Sequence, residues 1–73
     1  MSDEYTVDNP KYPDIEVELV GTDGNAGSIM GAVTRAMRRA GVPPSELGTY
    51  REEAMSGTYD QLLQTTMRWV SVT

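Results

Sequence analysis

The 73-residue chain has no cysteine, no histidine and no phenylalanine. The first absence removes disulfides and thiolate metal sites. The second removes the commonest general base and the commonest metal ligand. A zinc centre and a Ser-His or Cys-His catalytic pair are therefore excluded. Without Phe, the aromatic residues are Trp69 and four tyrosines. Long apolar runs are also missing, and the N-terminus lacks the basic-then-apolar layout of a signal peptide, so a soluble, cytoplasmic protein with no membrane span is expected. So short a chain makes one domain at most.

Positive charge is scarce as well, and it is unevenly placed. The formal net charge is −5; residues 1–24 carry seven acids against Lys11, whereas residues 25–73 carry four acids against five arginines. An acidic front makes nucleic acid an unlikely default partner, because phosphate neutralisation drives that association. The arginine-bearing remainder keeps a weaker form of the idea open.

Residues 1–14, "MSDEYTVDNPKYPD", combine two prolines with high charge and no apolar periodicity. They bury too little to offset their ordering entropy and read as a flexible acidic arm, with Tyr5 and Tyr12 as potential docking points. Residues 15–73 are expected to form a small α+β domain. Ile15 to Val20 alternates apolar and acidic residues: Ile15, Val17 and Leu19 share one face, Glu16 and Glu18 the other. That is the pattern of a half-buried strand, ended by Gly21. Turn-forming residues follow, with Asp23 and Asn25 as candidate caps for the next helix.

From Asn25 to Ala40 the period becomes helical. Ala26, Ile29, Val33, Ala36, Met37 and Ala40 share a face, with Met30 at its border. Arg38 and Arg39 suit the negative end of the helix dipole, Gly41 suits the position just past the helix, and Pro43-Pro44 prevents continuation. A second helix is predicted over Ser45 to Ser56, with Leu47, Tyr50 and Ala54 inward and Gly57 marking its end. Thr58-Tyr59-Asp60-Gln61 matches a T-x-x-Q capping box and opens a third helix. Its broad face carries Tyr59, Leu62, Leu63, Thr66, Met67 and Val70. Residues 69–73 either continue that helix or, as preferred here, form a short strand beside residues 15–20. The core is thin and rich in methionine, which packs without specifying geometry. A homodimer, or a partner that completes the core, would remedy this.

Gly21, Gly24 and Gly27 superficially resemble a phosphate-binding turn before a helix. The turn carries Asp23 and no basic residue, however, and it matches neither the P-loop pattern nor the dinucleotide spacing. Strand termination and helix capping explain it more simply. Gly27 and Gly31 raise a different question. At about 100° per residue they share a strip with Arg35 and Arg38, on the side opposite the apolar face. A glycine inside a helix costs about 1 kcal/mol relative to alanine. Such a strip lets another backbone approach closely, either from within the fold or from a partner. Arg35, Arg38 and Arg39 form the one basic cluster, read first as solvated side chains paired with nearby acids. No carboxylate pair is placed for acid–base work, because Glu52 and Glu53 are neighbours that diverge on a helix.

The segments "VELVGTDGNAGSIMGAVTRAMRRAGV" and "EEAMSGTYDQLLQTTMRWVSV" resemble a family of small uncharacterised proteins of actinobacteria and their phages, mycobacteriophages included. The match runs from about Ile15 to Val72. It is carried by Asp23, Gly24, Asn25, Ala26, Arg38, Arg39, Gly41, Gly57, Tyr59, Asp60, Trp69 and Val70, whereas Gly27 departs from the family pattern. The resemblance implies a phage or actinobacterial origin and no particular chemistry. Three function classes follow. The first is a non-enzymatic module that binds a host or phage protein, with Gly27, Gly31, Arg35, Arg38 and Arg39 as the contact residues and no cofactor or metal. The second is a nucleic-acid-associated regulator using the three arginines. The third senses a nucleotide or phosphate at the Gly21–Gly27 turn.

Overall fold

A strand, three helices and a short closing strand follow one another in the computed structural model, which describes residues 6, 9–19 and 24–73. They are β1 (Tyr12–Val17), α1 (Ala26–Arg39), α2 (Pro44–Ala54), α3 (Tyr59–Trp69) and β2 (Val70–Val72). The fold is a small single α+β domain. None of its described helices is long and apolar enough to cross a membrane.

The boundaries of α1 have local causes. Asn25 Oδ1 accepts the Ser28 amide at 2.8 Å, so Asn25 is the cap, while Asp23 and Gly21 lie outside the described residues. At the other end the Gly41 amide reaches the Arg38 carbonyl and the Val42 amide the Met37 carbonyl, both at 3.0 Å. These two bonds form a Schellman motif. It needs the left-handed backbone that Gly41 supplies at φ +90°. Val42 and Met37, the apolar pair that accompanies the motif, are both buried.

Ile29, Val33 and Met37 point into the core with Thr34 beside them, and the Thr34 hydroxyl is satisfied by the Met30 carbonyl at 2.8 Å. Ala26 and Ala40, expected on the same face, are exposed because they sit at the ends of α1, beyond the elements that cover it. Leu47, Tyr50 and Ala54 of α2 are buried as expected. The Thr58–Gln61 capping box is formed at the start of α3. The buried face of α3 is Leu62, Thr65, Thr66 and Trp69. Tyr59, expected inward, is 46% exposed. It occupies the first helical turn, and its hydroxyl donates to the Gly24 carbonyl, tying the turn before α1 to the start of α3.

β1 and β2 pair in parallel, joined across the three helices. Val17 and Val70 carry this ribbon into the core; Glu16 and Glu18 stay exposed. The strand begins at Tyr12, three residues earlier than the alternation suggested. Residues 12–14, expected in the arm, are therefore strand. The register shifts between Tyr12 and Glu16, which accommodates Pro13 at the irregularity. Ser71 Oγ donates to the Pro13 carbonyl at 2.8 Å there. Residues 1–5, 7 and 8 of the expected arm lie outside the described residues.

Candidate functional site

Two regions carry most of the polar and aromatic side chains. The first surrounds Trp69, at the junction of α3 and β2. Its indole N–H donates to Glu53 Oε1 of α2 at 2.9 Å. Tyr50 meets the indole edge-on at 5.7 Å between centroids, and Tyr12 lies tilted at 6.1 Å. The Lys11 ammonium stands 4.8 Å from the indole centroid, within range of a cation–π contact. Lys11 and the Tyr12 hydroxyl both bond to the same oxygen of Glu46, the tyrosine at 2.9 Å. Hydrogen bonds from Lys11, and secondarily Tyr12, hold the Glu46 carboxyl below the usual glutamate range. Tyr50 and Thr66 share a buried hydrogen bond of 2.7 Å. Burial pushes the Tyr50 phenol above its ordinary value, and the bond to Thr66 opposes this only in part.

Every one of these polar groups is used by the fold. Glu53 holds an indole, Glu46 holds the start of β1, and Tyr50 and Thr66 satisfy each other. The hydroxyls of Thr34, Thr49, Ser56 and Ser71 likewise donate to main-chain carbonyls. The arrangement has the chemistry of a clasp: it joins the first strand to the second and third helices.

The second region is the outer face of α1, where the structure brings together the residues singled out by the helical wheel. Gly27 is exposed and Gly31 half-buried on one strip. A methyl group built on Gly31 would meet no described atom within 4 Å; one on Gly27 would meet only Asn25 Oδ1, at an ordinary 3.4 Å. Among the described residues, packing does not require a glycine at position 31. Arg35 and Arg38 continue this strip, and Arg39 lies on the flank toward β1; all three are exposed. They were expected to pair with nearby acids, yet none of the three forms an ion pair among the described residues. Asp14 and Glu16 of β1 line a shallow surface cleft with Ala36, Arg39 and Ala40, of about 340 Å³. A second cleft, of about 440 Å³, lies between β1 and the α1–α2 corner, floored by Ile15, Val42 and Pro43.

Sequence patterns reached both regions unequally. Trp69, Tyr50 and the helix caps were legible from periodicity and capping chemistry. The bonds of Lys11, Tyr12 and Glu53 were not, because each joins residues far apart in sequence at positions that read as solvent-facing. No protein-family model matches the chain, and no curated protein or solved structure was found to be similar to it.

Proposed function

We propose that this protein is a non-enzymatic binding module whose contact surface is the outer face of α1. One observation carries the reading: Gly31 faces open space beside three exposed arginines with no ion pair among the described residues. Glycine weakens a helix interior by about 1 kcal/mol. Gly48 of α2 also has no described atom within 4 Å, so what supports a contact surface on α1 is the open glycine together with the arginines beside it. An accessory protein of an actinobacterium or its phage, engaging a host or phage protein, fits the resemblance noted above. Among the described residues, Glu46, Glu53, Tyr50 and Thr66 are engaged in contacts within the fold.

Site-specific photocross-linking tests this reading. A photoreactive residue in place of Arg35 should capture one protein, in stoichiometric amount, from an actinobacterial lysate. The same residue in place of Gln64, exposed on α3, should capture none. Cross-linking of nucleic acid from position 35 would favour the regulator reading, and equal capture from both positions would remove the claim for α1.

A further inference from the structure

The arginines and glycines of α1 are ordered along the helix, and the order restricts what can lie on them. Gly27 and Gly31 flatten the N-terminal half. Arg35 and Arg38 occupy the C-terminal half with Arg39 on its flank, and the stretch from Gly27 to Arg39 is about 18 Å long at the usual helical rise. The same helix of a second copy fits poorly. Pairing α1 with itself in parallel sets arginine against arginine. Pairing it antiparallel sets three arginines against the positive end of the other helix. Nucleic acid would contact the arginines but gains nothing from the glycines, and it meets a chain of net charge −5.

We infer that the partner presents an acidic helix, seated antiparallel on α1 with its acidic first turns over Arg35, Arg38 and Arg39; this rests on the reading of α1 as the contact face. Three features of the surface converge on that occupant. Carboxylates complement the guanidinium groups, which form no ion pair among the described residues, and can bind them in bidentate fashion. Acidic residues are themselves favoured in the first turn of a helix, so the charge sits where the partner's own helix stabilises it. With its N-terminus at the arginine end, the partner runs back over Gly31 and Gly27. There the missing side chains allow close approach to small residues at four-residue spacing.

Three probes of equal charge test this. One is a stapled helix of about 16 residues with Asp and Glu in its first two turns and alanines at four-residue spacing beyond them. The second has the same composition with the acids in its last two turns, and the third is a single-stranded oligonucleotide. The acid-first helix should bind at least about tenfold more tightly than either control. It should shift the amide resonances of Gly27 and Gly31. Gly31→Leu and Arg38→Glu should each weaken it about tenfold while the thermal melt stays cooperative. Equal binding of the acid-last helix or the oligonucleotide, resonance shifts confined to other surfaces, or no binding at low salt would overturn the inference. If the peptides fail while photocross-linking from position 35 still captures a protein, the partner chemistry is wrong and the binding reading stands. Failure of both removes both.

Discussion

The Trp69 clasp and the outer face of α1 are built in opposite ways. Around Trp69, side chains from β1, α2 and α3 converge, and Tyr12, Glu46, Tyr50, Glu53, Thr66 and Trp69 each have a hydrogen-bond partner within the fold. On α1, two glycines and three arginines face outward, and a side chain added at Gly31 would touch nothing described. A chain of this size without Phe needs the first arrangement to fold at all. On the reading proposed above, the clasp and core hold the fold, and the α1 face, which has no such contacts among the described residues, is left for an encounter with another molecule.

If that division is right, substitutions in the two regions differ in size and even in sign. Trp69→Ala should have the greatest effect. It removes the most central aromatic group, leaves Glu53 without its indole donor and deprives Tyr12 and Tyr50 of their shared neighbour. The loss should be about 3–5 kcal/mol, enough to unfold a domain of ordinary stability. Circular dichroism during a thermal melt would show it; a folded, cooperative variant that had only lost binding would make Trp69 a surface anchor and reverse the comparison.

Tyr50→Phe should follow, at about 1–3 kcal/mol in denaturant unfolding, because it strands the buried Thr66 hydroxyl while keeping the ring contact with Trp69. A neutral result would mean that Thr66 is satisfied by the α3 backbone instead.

The link between Glu46 and β1 gives a smaller, pH-dependent contribution. Since the folded-state value of Glu46 is depressed, its stabilisation is present in full above the ordinary glutamate range. It is lost as pH falls through the lowered value. The melting temperature of the native protein should therefore decline more steeply than that of Glu46→Gln between about pH 6 and about pH 3. At neutral pH the difference should be within about 1 kcal/mol, as for other partly exposed pairs. Parallel curves would show that Lys11 and Tyr12 are held by Trp69 alone.

The two regions were also not equally legible in the sequence. Local chemistry was readable throughout: the helical period of α1, Gly41 past its end, the Thr58–Gln61 box, and the β-prone residues that became β2. These depend on neighbours within a few residues. The strand's early start was hidden because Pro10 and Pro13 read as loop, whereas a register shift lets Pro13 sit in an edge strand. Tyr59 was misplaced because its spacing suits the apolar face, although a first-turn side chain lies at the rim, where it found the Gly24 carbonyl. The clasp was the least legible. Lys11 and Glu46 are 35 positions apart, and nothing in either segment announces the other. The placement of Gly27, Gly31, Arg35 and Arg38 on one strip of α1 was legible, since the helical period alone sets it.

The division between clasp and strip rests on the claim that Gly31 has no partner within the fold, and the unfolding free energy of Gly31→Ala checks it. A cooperative variant stabilised by about 0.5–1 kcal/mol is expected, the helix-propensity gain of alanine over glycine in open space. As an internal control, Gly41→Ala should be destabilising in the same experiment, because φ is +90° there. A loss of stability at Gly31 would place that residue in an intramolecular contact and contradict the claim.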